Sequence, residues 1–258
     1  MMRLELLVPL LVSAVLAVFA IIFSLRLEIA DDVWPVEGTG PLSFTLIGSF
    51  FASACAATLW CLWERQPGAL FGLGLDYLTI FGLLAVLAFT LSDGSSVFVV
   101  VAAALIIGAV LVASALLPAI RSPITDQRPQ PRLVRWSFYG SVLWLVAVGI
   151  ALVLEVRDVL PWPVPGKFSV IAGCLFLGAG AFLGYSVLRP SWANAGGQLA
   201  AFLAYDVVLL YPLLALFSEV DADLRINLIV YTWVVIYSAL LAAFYLFVNR
   251  QTRVSLSQ

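Results

Sequence analysis

Long apolar runs alternate with short polar ones along the whole chain. Eight windows, at about 5–26, 42–63, 71–91, 97–119, 136–155, 168–188, 199–217 and 228–248, are apolar over about the 20 residues that a helix needs to cross a bilayer. Turn-forming residues separate them: Asp31-Asp32, Gln66-Pro67-Gly68, Ser92-Asp93-Gly94, Arg121-Ser122-Pro123, Pro161-Trp162-Pro163, Arg189-Pro190 and Asp221-Ala222-Asp223. Such segments satisfy few backbone groups internally, so they belong at the water boundary. The pattern predicts an all-α polytopic membrane bundle of about eight helices. It reads as one integral membrane domain over 1–258. The first helix lies at 1–26, and a seven-helix bundle occupies 42–249. The run after Met1-Met2-Arg3 has a second reading, a signal peptide cleaved near Ala17–Ala20. It is longer than the roughly 7–15 residues of a signal core, which favours a retained helix.

Arginine and lysine set the orientation. The amino terminus, the even-numbered loops and the tail carry nine: Arg3, Arg65, Arg121, Arg128, Arg132, Arg135, Arg189, Arg250 and Arg253. The opposite loops carry four: Arg26, Arg157, Lys167 and Arg225. This bias predicts a cell-membrane protein with both termini in the cytoplasm.

Composition agrees and narrows the chemistry. Hydrophobic residues make up 63% and charged residues 11%, against roughly 25% charged in soluble domains. A net charge of −2 gives no basic footprint for nucleic acid. There is no histidine, which argues against haem or copper electron transfer and against an imidazole base. Cys55, Cys61 and Cys174 lie within apolar windows without metal-ligand spacing and read as packing residues. No metal site or catalytic signature is present, and Asp221-Ala222-Asp223 reads as a solvated loop.

The second and third windows resemble the sixth and seventh. Trp34-Pro35-Val36 matches Trp162-Pro163-Val164, and Gly48 matches Gly173. With a drifting offset, Asp76 falls opposite Asp206 and Phe81 opposite Tyr211, with Gly82-Leu83-Leu84 opposite Pro212-Leu213-Leu214. Repeats four spans apart share orientation, so this is a parallel repeat.

Ionisable groups within a membrane are functional by default. Asp206 stands about two turns into its window, beside Tyr205 and before Tyr211-Pro212, where the proline frees a carbonyl near Val208. Asp76 stands about one turn into its own. They read either as paired proton or cation sites lining a cytoplasmic vestibule or as interfacial acids, Asp76 capping a helix. Tyr231, Thr232, Trp233, Tyr237 and Ser238 supply interhelical hydrogen bonds or line a ligand pocket. Gly180 and Gly184 have the spacing of close helix packing, within the chain or between copies.

The last three windows resemble the last three helices of the microbial rhodopsins. The residues are Leu188-Arg189-Pro190 before the penultimate helix, Tyr211-Pro212, Ser218-Glu219 in the external turn and Ser238-Ala239 late in the last helix. About a quarter of the chain is covered. The resemblance implies a seven-helix bundle behind one added amino-terminal helix. It does not imply the family's chemistry. Leu240 stands at the retinal-lysine position and Ile236 at that of its acidic partner. Val208 replaces the stacking aromatic, and the fourth window lacks the Arg-Tyr-x-Asp-Trp signature. Retinal is therefore not expected as a cofactor.

Three functions remain. The first is a non-enzymatic, receptor-like or accessory bundle that acts through a membrane partner or a second copy, suggested by scarce buried charge and by the glycine faces. The second is a proton-coupled permease using Asp206 and Asp76. The third is a noncovalent binder of an apolar ligand such as a carotenoid, quinone or lipid.

Overall fold

A computed structural model describes residues 4–34, 36, 39–90, 96–121, 124–126 and 128–253. Arg3, Pro35, the Ser92-Asp93-Gly94 turn and Ser122-Pro123 lie outside the described residues. The helices are α1 (Leu4–Ser24), the short α2 (Glu28–Val33), α3 (Pro41–Trp63), α4 (Leu70–Thr90), α5 (Ser96–Arg121), α6 (Arg132–Val153), α7 (Gly166–Leu188), α8 (Trp192–Leu216) and α9 (Arg225–Ala243). A π-helical turn, Phe244–Val248, continues α9. Among the described residues the only β pairing is an isolated bridge between Pro129 and Ser191. The protein is thus all-α and membrane-embedded. Among the described residues, seven helices are long and apolar enough to cross a bilayer. The expected eighth crossing falls on α5, within which Phe98–Ser114 is apolar among the residues described in full.

The chain forms two compact units. The first comprises 1–65, 157–168 and 195–258, and so holds α1, α2, α3, α9 and nearly all of α8. The second comprises 66–156 and 169–194, and holds α4, α5, α6 and nearly all of α7.

In the first unit α1 packs on α3. Gly48 permits this: a Cβ there would stand 2.6 Å from the Ser24 backbone nitrogen. Phe19, Phe23, Phe44 and Phe51 stack along the seam, and the Cys55 thiol donates to the Ser13 carbonyl at 3.3 Å. Further along α3, Trp60 lies against Gly196 of α8 so closely that any side chain at Gly196 would collide with the indole. Gly197 faces Cys61 and Trp60 at 3.4 Å.

The second unit repeats these contacts with different residues. A Cβ on Gly173 of α7 would stand 2.8 Å from the Val153 backbone nitrogen of α6 and 2.7 Å from the Gly149 carbonyl. Gly72 of α4 faces Phe182 and Tyr185 of α7, each at 3.1 Å. Gly173 follows Gly48 by 125 positions, and so do Gly197 after Gly72, Phe182 after Ala57 and Tyr185 after Trp60. The ends of α1 and α6 match bond for bond. Amides 25, 26 and 27 donate to carbonyls 21, 23 and 22, and amides 154, 155 and 156 donate to 150, 152 and 151. Arg26 and Glu155 take the left-handed conformation that this helix stop requires, with φ of 47° and 53°.

The repeat is therefore a structural one, and it runs further than the sequence match. Helices α1, α3, α4 and α5 form one copy, and α6, α7, α8 and α9 form the other. Helix α1 is the counterpart of α6. Each compact unit takes the first two long helices of one copy and the last two of the other. One matched pair needs correction. The offset is still 125 at Gly72 and Gly197, and no insertion is available inside a helix. Asp76 therefore aligns with Ala201, and Asp206 with Phe81.

Candidate functional site

Helix α8 begins seven residues before the expected window. Asp206 consequently lies about four turns from its start rather than two, in the middle of the span. The helix runs on through Pro212 to Leu216. Asp206 is 1% exposed. Its Oδ2 has no hydrogen-bond partner, and Ser238 of α9 is within hydrogen-bonding reach of the carboxyl. The Ser238 hydroxyl lies 2.8 Å from the Val234 carbonyl, to which it can donate. Beside the acid, the Tyr205 and Tyr231 hydroxyls share a hydrogen bond of 2.5 Å between α8 and α9.

Aromatic rings fix this pair. Phe50 meets Tyr205 edge-on at 5.4 Å, and Trp162 meets Tyr231 edge-on at 6.1 Å. Trp162 is held in turn by its indole N–H, which donates to Ser43 at 3.1 Å. The buried Thr232 hydroxyl lies on the next residue of α9. Among the described ion pairs, none involves Asp206.

A carboxylate ion in such a setting would lack both a counter-ion and a full hydrogen-bond shell, a large desolvation penalty. The neutral acid fits. Its O–H can donate to Ser238 while Ser238 donates to Val234, and both tyrosine hydroxyls stay engaged with each other. The cluster can hold a proton, and loss of that proton calls for water, a cation or a moved helix.

Asp76 belongs to the second unit, inside α4 rather than at its cap. It is 8% exposed, with Oδ1 unpartnered and packed against Gly178 of α7. Tyr77 is its chain neighbour, as Tyr205 is that of Asp206, and the position aligned with Asp76 in the repeat is Ala201. Tyr211 is 80% exposed and turns away from the acid. Tyr237 stacks on Trp233 at 5.6 Å and 9°. Gly180 meets Val146 of α6 at 3.1 Å, whereas nothing lies within 4 Å of a Cβ at Gly184. The closest approaches on α7 are at Gly173 and Gly178 instead. Buried Asn194 and Gln198 at the start of α8 were outside the apolar window, because two polar residues and the Arg189-Pro190 break depress hydropathy there.

Among the described residues no three His, Cys, Asp or Glu side chains gather as a metal site would require. Compared with known proteins, the chain matches no family model, no curated protein and no solved structure.

Proposed function

We propose that the protein is a proton-coupled membrane permease in which Asp206 carries the proton. The observation behind this reading is the buried carboxyl itself, midway along a membrane helix, with one oxygen unpartnered and a hydroxyl cluster around it. The accessory-bundle reading was motivated by scarce buried charge, and Asp206 and Asp76 now weigh against it. A parallel duplication is also the construction of several transporter folds. Similarity of the last three helices to microbial rhodopsins adds no chromophore to this reading, since Leu240 stands at the position of the family's retinal lysine. We place both termini in the cytoplasm of a cell-membrane protein, on the arginine bias alone.

The test is proton uptake by proteoliposomes under an imposed pH gradient and membrane potential, read with an internal pH dye. Wild type should acidify the lumen well above empty vesicles, and Asp206→Asn should lose at least about tenfold of that flux. Equal flux in both proteins, at equal reconstitution, would sink the proposal.

A further inference from the structure

The first unit has an apolar groove of about 460 Å³ remote in composition from the Asp206 cluster. Its walls are Leu59, Trp60 and Trp63 of α3, Leu203 and Val207 of α8, and Phe247 of the π-helical turn. Alanines at 56, 200 and 204 form the floor by leaving side-chain volume unfilled. The rim is open, with Trp63 62% exposed, Val207 66% and Phe247 61%. The volume falls within the roughly 300–1,000 Å³ of small-ligand sites.

Charge says what sits there. Two of the walls, at the end of α3 and in the π-helical turn, run directly into arginines, while the α8 wall reaches to mid-span. Arg65 follows Trp63 by two residues, and Arg250 follows Phe247 by three. The turn that carries Arg250 and Arg253 is built rather than frayed. Thr252 donates its hydroxyl to the Tyr245 carbonyl at 2.7 Å, and the Arg253 amide donates to the Asn249 carbonyl at 2.8 Å. All three arginines are exposed, and none pairs with a carboxylate among the described ion pairs. A hydrocarbon slot whose walls lead within a few residues to three arginines, against the single acid Glu64, matches an amphiphile with an apolar tail and an anionic head.

We propose that this groove holds one acyl chain of an anionic phospholipid, with the phosphate at Arg65, Arg250 and Arg253. The site does not depend on Asp206. Basic side chains at a membrane surface attract anionic headgroups, and the aromatic walls give the tail a fixed surface instead of a moving annulus.

The experiment is native mass spectrometry of the delipidated full chain, titrated separately with phosphatidylglycerol and phosphatidylcholine. Wild type should retain one phosphatidylglycerol in preference to phosphatidylcholine. Arg250→Gln/Arg253→Gln, changed only at exposed positions, should lose roughly fivefold of that preference per arginine. Ala204→Trp, which fills the floor, should lose retention of both lipids while its thermal midpoint confirms folding. Tail-brominated phosphatidylglycerol should quench tryptophan fluorescence in wild type more than in Trp60→Phe/Trp63→Phe. Equal retention of the two lipids by wild type, or undiminished preference in the arginine variant, overturns the proposal. So does bromine quenching that is proportionally the same in both proteins, which also covers the case in which Ala204→Trp fails to fold.

Discussion

The two compact units share a frame and differ in what they put on it. Each seats a tight glycine of α3 or α7 against the preceding long helix, and each seats a glycine of α8 or α4 against an aromatic residue. Around that frame the first unit gathers a carboxyl, two tyrosines and a serine between α8 and α9, and leaves an apolar groove beside Trp60. The second buries a carboxyl as well, Asp76, pressed on Gly178. Its richest polar chemistry lies instead in a loop. Gln66 accepts from the Thr125 amide at 3.1 Å and donates to the Thr125 hydroxyl at 2.8 Å. Arg128 grips Asp126 at 2.7 Å and lies 6.0 Å over the Trp192 ring. Close packing and a buried carboxyl are thus common to the two units, while the Tyr205–Tyr231 hydroxyl pair beside the acid belongs to the first. Glycine contacts with backbone leave no room for a side chain and so hold the register of the helices.

The comparison breaks most readily at the glycines. Gly48→Val and Gly173→Val both drive a side chain into backbone, so each should destabilise by about 3 kcal/mol or more. The two losses should be similar. Gly184→Val, in open space, should leave the thermal midpoint in detergent within error of wild type. Strongly unequal effects at Gly48 and Gly173 would mean that the copies are not equivalent in energy.

Next comes the difference in chemistry. Asp206→Asn should remove proton flux, and Asp76→Asn should retain most of it, on the same proteoliposome assay. Comparable losses would make the acids partners after all. A smaller effect sharpens the Asp206 cluster. Tyr205→Phe and Tyr231→Phe each break the shared hydrogen bond, so a double-mutant cycle on unfolding should give a coupling of about 0.6–2 kcal/mol. Purely additive losses would show that the contact contributes nothing.

The smallest effect concerns the loop of the second unit. Burial raises the Asp126 carboxyl, but the hydrogen bonds and charge of Arg128 outweigh it and hold it below its ordinary value. A lowered carboxyl contributes stability that is present above its unfolded value, about 3.9, and is lost as pH falls through the folded one. The stability difference between wild type and Arg128→Met should therefore be flat above about pH 5 and shrink below about pH 4. A difference that persists at low pH would assign the role of Arg128 to its stacking on Trp192.

Much of this was legible in the apolar runs, because a bilayer demands long hydrophobic helices and punishes anything else between the turns. Gly48 and Gly173 were also legible, since small residues are scarce at positions that larger ones can fill. The pairing of Asp76 with Asp206 was misread. Two acids on similar apolar helices look aligned when gaps are free, and only the contacts of Gly72 and Gly197 fix the register. The depth of Asp206 was understated because Asn194 and Gln198 are polar yet buried, and hydropathy counts them as loop. Tyr231 as the partner of Tyr205 was beyond reach, since 26 residues and a turn separate them. The exposed side of Tyr211 could not be told from its neighbour either, because apolar spans give helix rotation almost no signal.

The exchange of halves has a consequence for biosynthesis. The ribosome delivers α1 and α3 early, yet their companions α8 and α9 emerge only after α4 to α7. Some 130 residues of synthesis intervene, roughly ten seconds at about 5–20 residues per second. During that interval the Trp60 face of α3 has no Gly196 to rest on, and only lipid or an insertion factor can shield it. The second unit closes sooner, once α7 joins α4 through α6. Maturation is thus ordered in time, with the unit that holds Asp206 the later to be completed.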